Sequence, residues 1–453
     1  MRRILHTLPA AAALAAGMGL STTSLAEDKV VTLWHTEPNP RTVAVMDATI
    51  AKYEAMNPGI KIKQEPIAWG NLDTKLQAAL AAGAPPDASH GQAYVERSLS
   101  AKGLLVPVNA IYDSIGEDDL YDVVKRLNCH PDGNCYGIAH AVGTDLIVYR
   151  KDFYREAGLD PEKPAATWAE WLEQLKALTV DTDGDGKNDR FGLGLAGPGF
   201  FINEEVYMWT GSNGGRLFAD NHRPTFTEAP VLEMLAFWKE LADCCLAPDW
   251  LSHGYLDTFA MLATGKVASI YGWGRGTDYF EKYAPEAVDA GDIGIFPTKP
   301  IGPSGTEFLT QFDCEPWMVF KDGKHPQEAI DFLKFFYQPE NYLPYIQSVP
   351  IHFFPIRKSM QADPAYLATA AFEKWGGWRD AQLNVIQNHD PKPLMITEWD
   401  DLELPFVQEL ASSGILIDMV TDVVDRDVSP TDAAARAQER AEELITQLGY
   451  KNW

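Results

Sequence analysis

Aspartates at alternating positions between Asp181 and Asp189 form the segment best suited to bind a metal ion. The segment DTDGDGKND follows an EF-hand calcium loop, whose oxygen ligands come from positions 1, 3, 5, 7 and 9. Position 12, which carries a bidentate Glu in that loop, is Gly192, and this favours a fixed structural site over a sensor. The sequence predicts one Ca²⁺ bound by the side chains of Asp181, Asp183, Asp185 and Asp189 and by the carbonyl of Lys187. The alternative is a metal-free acidic turn, because Asp and Gly also form turns.

No motif that would indicate catalysis or nucleotide binding occurs in its expected setting. There is no GxxxxGK[ST], HExxH or GxSxG, and no GxGxxG follows a strand in the expected setting. The sequence also lacks the local Cys and His spacing of a zinc site. The function must therefore be sought in the elements that position the remaining polar and aromatic residues.

The N-terminus has the features of an export signal. Arg2 and Arg3 precede an apolar run over 8–20, and Ser24-Leu25-Ala26 fits the small-x-Ala cleavage pattern. The apolar run is too short to span a membrane. We expect cleavage before Glu27 and a periplasmic product.

Length and charge restrict the class of protein further. The chain has 453 residues, enough for two domains or more. It carries 64 acidic against 38 basic residues, for a formal net charge of −26. This charge argues against binding to nucleic acid, which requires a basic surface, and against anionic membranes.

Five cysteines suit an oxidising compartment. Cys129 and Cys135 flank a Pro-Asp-Gly-Asn turn, so the segment CHPDGNC predicts a hairpin closed by a disulfide. Cys314 is expected to pair with either Cys244 or Cys245, which would leave one thiol unpaired.

Strand and helix patterns alternate at the start of the mature chain. A strand over 30–34 precedes a helix with apolar residues at three- and four-residue steps from Val43 to Tyr53. A second strand at 60–62, a helix closed by Gly83 and a third strand follow. This order predicts an α/β fold with a mostly parallel sheet, in which ligands bind beyond the carboxyl ends of the strands. The loops HTEPNP and SHGQAY are therefore candidate ligand loops. Further helices are predicted over 168–178, 231–243 and 326–337 and after Ser429.

Several segments together resemble the bacterial extracellular solute-binding proteins of family 1, to which maltose-binding protein is related. They are YRKDFYREAGLDPEKPAATWAEWLEQLKAL, LAAGAPPDAS, MLATGKVASIYGWGRG, FKDGKHPQEAIDFLKFF, VPIHFFPIRKS and DVVDRDVSPTDAAARAQERAEELI. The acidic loop also recurs in that family, where it commonly holds calcium structurally. The resemblance extends over nearly the whole mature chain in family order.

The resemblance implies a two-lobe periplasmic-binding-protein fold of type II, with a ligand cleft between lobes of mostly parallel sheet and flanking helices. One lobe would hold residues 27–140 and 300–349, and the other 141–299 and 350–453. The implied protein is a monomer and not an enzyme. It binds a carbohydrate and docks on the membrane subunits of an ABC importer.

Candidate ligand residues follow from the chemistry of sugars, which present one apolar face and a rim of hydroxyl groups. Aromatic rings stack on the face, while charged and amide side chains bind the rim. Trp273, between Gly272 and Gly274, is the best stacking platform. The other candidates are His35, Glu37, Gln92, Asp145, Glu204, Glu205, Tyr207, Arg275, Asp313 and Arg357. Trp375 and Trp378 offer a second platform, although packing is the simpler role for them.

Three other functions are compatible with parts of the sequence. An exported carbohydrate-active enzyme would also be acidic and rich in Trp, but it would need two carboxylates at a defined separation. The same fold could bind a cationic compatible solute through cation–π contacts. A purely structural calcium protein is disfavoured by the missing ligand at position 12.

Overall fold

A computed structural model describes residues 28–388 and 404–453 of the chain, except residues 198, 308, 310, 311 and 314. The predicted signal peptide, with Arg2, Arg3 and the cleavage site, lies outside the described residues. Cys314 also lies outside them.

The first sheet has five strands in the order β2-β1-β3-β11-β4. Its strands are β1 (Lys29–His35), β2 (Ile60–Pro66), β3 (Ala88–His90), β4 (Gly137–Ala139) and β11 (Pro316–Val319). β1 pairs in parallel with β2 and β3, while β11 runs antiparallel to β3 and β4. The predicted mostly parallel sheet is confirmed, because β11 alone among these five strands is reversed.

The second sheet has four strands in the order β7-β8-β6-β9. Its strands are β6 (Leu146–Arg150), β7 (Phe191–Gly194), β8 (Val267–Gly272) and β9 (Ile293–Phe296). β7 and β8 are parallel, and β6 runs antiparallel to β8 and β9. Each sheet therefore has one reversed strand, β11 in the first and β6 in the second. In both cases it is the strand that the chain forms directly after it enters that sheet from the other.

A short ribbon connects the two sheets. β5 (Gly143–Thr144) precedes β6, β10 (Phe312–Asp313) precedes β11, and the two pair antiparallel. Before β10, Lys299 bridges Leu309, and Ile301 bridges Thr167 at the start of a helix beside the second sheet. The chain thus passes to the first sheet at β10, and the division into lobes by residue number stays a prediction.

Helices surround both sheets. They are α1 (Pro40–Met56), α2 (Trp69–Ala81), α3 (Ala93–Ala101), α4 (Asn109–Ile115), α5 (Asp122–Asn128), α6 (Lys151–Glu156), α7 (Trp168–Leu178), α8 (Gly199–Ser212), α9 (Ala229–Cys244), α10 (Tyr255–Ala263), α11 (Thr277–Tyr283), α12 (Pro285–Asp289), α13 (Pro326–Phe336), α14 (Pro339–Ser348), α15 (Pro364–Leu367), α16 (Ala371–Asn388), α17 (Val407–Ser412), α18 (Ile415–Val424) and α19 (Pro430–Gln447). Short 3₁₀ turns occur at Glu117–Asp119, Trp250–Ser252, Gly274–Gly276 and Lys358–Ala362. In the described part of the chain, no helix combines the length and apolar character needed to cross a membrane.

Local sequence explains where several helices begin. The Asn39 side chain accepts a hydrogen bond from the Arg41 N–H, and Pro40 supplies the fixed φ of a first helical residue in α1. The Ser429 hydroxyl accepts a hydrogen bond of 3.1 Å from the Asp432 N–H and so caps α19, the helix predicted after Ser429. The predicted helix over 168–178 is confirmed at both ends as α7.

Candidate functional site

Four titratable side chains meet at one edge of the five-stranded sheet. β1 and β3 end at His35 and His90, and β4 ends one residue before His140. Because β11 is reversed, its first residue lies at the same edge, and Glu315 directly precedes it. All four residues are buried. This edge is where ligands bind in open α/β sheets.

His90 and His140 form the centre of this edge. Their rings stack with 4.2 Å between centroids at an interplanar angle of 10°. His140 Nε2 lies 3.0 Å from Glu315 Oε2, and the Tyr345 hydroxyl lies 2.9 Å from His140 Nδ1. Burial lowers the pKa of His140 to about 4 and lowers the pKa of His90 well below its ordinary value. Both rings are therefore neutral at neutral pH.

His35 holds the loop that follows β1. Its Nε2 lies 2.9 Å from Gln64 Oε1, and its Nδ1 accepts a hydrogen bond of 3.3 Å from the Glu37 N–H. Burial lowers the pKa of His35 to about 4. Both ring nitrogens are thus engaged, and the ring orients the backbone that carries Glu37.

Glu37 and Arg275 connect the two sheets directly. The Glu37 side chain, 1% exposed, accepts two hydrogen bonds from the Arg275 guanidinium, at 2.9 and 3.0 Å. Arg275 follows β8 of the second sheet, and its guanidinium carbon lies 5.5 Å from the Phe353 ring centroid. This bidentate pair closes the space between the sheets at the predicted ligand loops.

Trp273 is part of an aromatic group beside this ion pair. Its ring centroid lies 5.8 Å from that of Phe201 and 6.0 Å from that of Tyr255. A Cβ on the following residue, Gly274, would lie 1.9 Å from the carbonyl oxygen of Ile351. Only glycine fits at position 274. The close approach of its backbone to Ile351 fixes the conformation of the loop that carries the half-buried Trp273.

A second polar group lies at the edge of the four-stranded sheet. Asp145, between β5 and β6, is buried, as are Glu204 and Glu205 of α8. Lys299 Nζ lies 3.1 Å above the Tyr271 ring centroid and has no hydrogen-bond partner within the described residues. Burial lowers the pKa of Lys299, while the charges of Glu205, Asp145 and Glu204 oppose that shift.

The two carboxylates of α8 have different partners. Glu205 Oε2 accepts a 2.8 Å hydrogen bond from Trp209 Nε1, and burial raises the pKa of Glu205. Burial, followed by the charges of Asp73 and Glu204, raises the pKa of Tyr94 in α3. The charge of Glu204, in a helix beside the second sheet, thus contributes to the raised pKa of Tyr94, in a helix beside the first sheet.

The remaining predicted ligand residues lie in different parts of the structure. Gln92 is half-buried at the start of α3, and Tyr207 packs in the hydrophobic core. The Asp313 backbone pairs with Gly143 in the ribbon, while its side chain is outside the described part. Arg357 Nε donates to Asp119 Oδ2 at 2.8 Å, so the structure does not bring it to the residues above.

Trp375 and Trp378 pack against each other within α16. Their ring centroids are 4.9 Å apart, and both residues are buried. Trp375 Nε1 donates to Glu281, and Trp378 Nε1 donates to the carbonyl of Ile293. These contacts favour the packing role over ligand stacking.

Five residues near the edges where the two sheets face each other were not among the predicted ligands. They are His90, His140, Tyr255, Lys299 and Glu315. The loop SHGQAY contains His90, so its position after β3 was a usable signal. Glu315 and His140 come together only because β11 lies between β3 and β4, and local sequence carries no signal for that pairing.

Three of the four predicted calcium carboxylates converge. Oxygens of Asp181, Asp183 and Asp189 lie within 4.8 Å of one another, and all three residues are exposed. Asp185 Oδ1 accepts a hydrogen bond from the Lys187 N–H at 2.8 Å. The donor set suits a hard cation that prefers oxygen. The loop joins α7 to β7, and the hydrogen bonds described for its aspartates are made within the loop.

Two disulfides occur in the described residues. Cys129–Cys135 closes the predicted hairpin. Cys244 pairs with its neighbour Cys245 at the end of α9. The predicted pairing of Cys314 with one of these two is wrong, because the adjacent cysteines bond to each other.

The two sheets, each with one reversed strand and joined by a crossing ribbon, define a two-lobe periplasmic-binding-protein fold of type II. A solute-binding protein of Thermotoga lettingae TMO bound with alpha-D-tagatose superposes with a TM-score of 0.73 at 17% identity, covering 92% of this chain and 100% of that one. One from Agrobacterium radiobacter K84 in complex with ribitol gives a TM-score of 0.72 at 19% identity, covering 92% and 99%.

The family is shown by sequence. The profile of the bacterial extracellular solute-binding protein family matches residues 48–374, so the chain belongs to that family. A protein of Brucella abortus (strain 2308), provisionally named a binding protein, is 25% identical over 338 residues, covering 73% of this chain and 77% of that protein.

Shorter alignments connect the chain to proteins with more informative names. The mannitol-binding protein of Pseudomonas aeruginosa is 27% identical over 171 residues, covering 37% of each chain. YcjN of Escherichia coli (strain K12), provisionally named an ABC transporter periplasmic-binding protein, is 26% identical over 215 residues. That alignment covers 46% of this chain and spans about half of YcjN, 47%.

Proposed function

We propose that this protein is the substrate-binding component of an ABC importer and that it binds a carbohydrate between the two sheets. The ligand would be a mono- or oligosaccharide or a sugar derivative, delivered to the membrane subunits. The observation that carries the proposal is the meeting of Glu37 with Arg275. It brings a carboxylate, a guanidinium and the adjacent Trp273 to one place between the sheets.

The residues at this place match the chemistry of a sugar. The aromatic group of Trp273, Tyr255 and Phe201 offers flat apolar surface for the face of a pyranose ring. Glu37 and Arg275 offer acceptors and donors to the hydroxyl rim. Ligand pockets combine apolar walls with a few placed polar groups in this way.

The charges favour a neutral ligand over an anionic one. Buried carboxylates belong to Glu37, Asp145, Glu204, Glu205 and Glu315. Arg275 and Lys299 are the cations that face them among the residues described above. A phosphate or carboxylate ligand would add negative charge to an acidic, poorly solvated space, which is unfavourable.

Some of the similar proteins are named for, or bound with, a ligand of this class. The Pseudomonas aeruginosa relative is a mannitol-binding protein, and the structural neighbours hold tagatose and ribitol. All three molecules are neutral polyhydroxyl compounds. The proposed location, the periplasm, rests on the family and on the N-terminal sequence. We expect the protein to act as a monomer.

A thermal-shift and calorimetric screen tests the proposal. The panel contains mono-, di- and oligosaccharides, sugar alcohols, sugar phosphates and osmolytes. A ligand at about 100 times its Kd adds about 2.7 kcal/mol to the free energy of unfolding. We expect stabilisation by at least one neutral carbohydrate and none by sugar phosphates. Analysis of the solution after incubation separates binding from catalysis, since release of a product would identify an enzyme.

A cationic compatible solute is the second candidate. Trp273, Tyr255 and Phe201 lie close enough together to surround a quaternary ammonium group, and buried carboxylates lie nearby. Betaine-type osmolytes in the same screen distinguish the two ligand classes.

The acidic loop is proposed to hold one structural Ca²⁺. The convergence of Asp181, Asp183 and Asp189 supports this, because three close carboxylates repel one another and a cation among them would reduce that repulsion. Asp185 and the Lys187 carbonyl complete the proposed ligand set. Calorimetric titration of the chelator-treated protein with Ca²⁺ tests the stoichiometry.

A further inference from the structure

We infer that His90, His140 and Glu315 form a binding site for one divalent transition-metal ion of the Zn²⁺ type. Their ligand atoms lie within 4.8 Å of one another, and all three residues are buried. The three residues are far apart in the sequence and are brought together by β3, β4 and β11. This inference does not depend on the identity of the solute.

The state of His90 is the second observation that points to a ligand. His90 is 0% exposed, and its Nε2 has no hydrogen-bond partner among the described residues. A buried polar atom without a partner is destabilising, so such an atom in a folded protein requires an explanation. A metal ion at Nε2 supplies one.

Neighbouring groups prepare His90 for coordination through Nε2. Its Nδ1 lies 3.1 Å from the Thr36 hydroxyl oxygen, which lies 3.5 Å from Glu315 Oε2. The hydroxyl can accept the proton of Nδ1 while it donates its own to the carboxylate. This arrangement leaves the lone pair of Nε2 for an ion, and such outer partners fix the ligand tautomer in metal sites. The Thr36 N–H, at 3.4 Å from Nδ1, competes only weakly.

Neighbouring groups also prepare His140 for coordination through its Nε2. Its Nε2 lies 3.0 Å from Glu315 Oε2, which places two of the three ligand atoms side by side. The Tyr345 hydroxyl, 2.9 Å from Nδ1, can accept the Nδ1–H when Nε2 binds the ion. His35 is not a ligand, because Gln64 and the Glu37 N–H occupy its two ring nitrogens.

The shape and ligand type of the site define the ion. A cavity of about 10 Å³, lined in part by His140, Glu315 and His352, adjoins two of the three proposed ligands. This is about the room of one small ion or water. Two imidazoles and one carboxylate favour Zn²⁺, Co²⁺ or Ni²⁺ over Ca²⁺ and Mg²⁺, which prefer oxygen ligands only. The stacked rings must turn relative to each other so that both Nε2 atoms face the ion.

The test is a Zn²⁺ titration of chelator-treated, full-length mature protein by calorimetry, with excess Ca²⁺ to saturate the acidic loop and no solute present. We expect one Zn²⁺ per chain. Tyr345→Phe should weaken its affinity by about 10–100-fold, the effect of losing an outer partner. His90→Gln and Glu315→Gln should weaken it more. His253→Ala, which removes an imidazole elsewhere, should leave it unchanged.

A spectroscopic measurement on the unaltered protein keeps the inference testable if a variant fails to fold. Bound Co²⁺ should give visible absorption bands that disappear when Zn²⁺ is added. Absence of Co²⁺ bands, or Zn²⁺ binding of equal strength in a folded His90→Gln variant, would overturn the inference. A result in which metal binds but no carbohydrate does would contradict the proposed function and leave the metal site standing.

Discussion

Glu37 and Arg275 form a bidentate ion pair between segments that follow strands of different sheets. The two hydrogen bonds, at 2.9 and 3.0 Å, link the loop after β1 with the turn after β8. The Glu37 side chain is 1% exposed and the Arg275 side chain 23%. The pair therefore stabilises the arrangement in which the two sheets face each other closely.

Glu37→Gln should favour an open arrangement of the sheets. It removes the charge that Arg275 neutralises, at a cost of about 1–3 kcal/mol to the closed state. This is below the cost for a fully buried pair, because Arg275 is partly exposed. Small-angle scattering should show a larger radius of gyration for the variant without solute.

Asp278→Asn provides the matched control. Asp278 pairs with Arg41 at 3.5 Å, which also links α11 with α1, but both side chains are more than half exposed. Its loss should change the radius of gyration little, since exposed pairs contribute about 0–1 kcal/mol. Equal scattering profiles for Glu37→Gln and the unaltered protein would show that the buried pair does not control closure.

Trp273→Ala should weaken binding of the carbohydrate by about 1–3 kcal/mol, the contribution of one buried aromatic surface. Calorimetry on the folded variant measures the change. Trp453→Ala, at the C-terminus, is the control and should keep full affinity. Unchanged affinity in Trp273→Ala would assign this ring to packing with Phe201 and Tyr255.

Glu205→Gln should stabilise the fold at neutral pH by on the order of 1 kcal/mol, because it avoids burying a charge and can still accept from Trp209 Nε1. Burial raises the pKa of Glu205, so the folded state binds its proton more tightly than the unfolded state does. The destabilisation is therefore fully present above the raised pKa and is lost as the pH falls from there to the ordinary pKa of Glu.

Urea unfolding at several pH values checks this prediction. The advantage of Glu205→Gln should be largest at neutral pH and should shrink toward acid, while carbohydrate affinity falls if Glu205 binds the ligand. A variant that is less stable at neutral pH, or whose advantage grows toward acid, would mean that Glu205 is better paired than its burial indicates.

Calcium removal should lower the melting temperature without changing carbohydrate affinity. Ca²⁺ at about 100 times its Kd adds about 2.7 kcal/mol to stability, which a chelator removes. Asp183→Asn should reduce this effect, whereas Asp118→Asn, a change at an exposed residue elsewhere, should not. A melting temperature that does not respond to Ca²⁺ would support the metal-free turn, and a loss of affinity in the folded protein would place the ion at the ligand.

Local sequence predicted much of the fold. The first three strands, α1, α7 and α19 have periodic apolar residues, caps and turn residues that act within a few positions, and the structure confirms these elements. The Cys129–Cys135 hairpin follows from a turn of the same kind. The bridge between Ile301 and Thr167 is a long-range backbone contact that has no local sequence pattern, and the division into lobes by residue number stays a prediction.

Some of the candidate ligand residues that the structure brings together lie where a chain segment directly follows a recognisable strand, and their role in binding stays a prediction. Glu37, Trp273 and Arg275 fulfil that condition, and the structure brings them together. The association of His90, His140 and Glu315 depends on strand order, with β11 inserted between β3 and β4, and strand order is a long-range property. The Cys244–Cys245 bond was missed because the prediction sought a distant partner for adjacent cysteines.

Calorimetric titration of the mature protein with the carbohydrate panel tests whether the protein binds a neutral carbohydrate without converting it. The account predicts saturable binding of one neutral carbohydrate or sugar alcohol per chain, loss of affinity in Trp273→Ala and recovery of the ligand unchanged. Absence of binding across the panel, or conversion of a carbohydrate into a product, would contradict it.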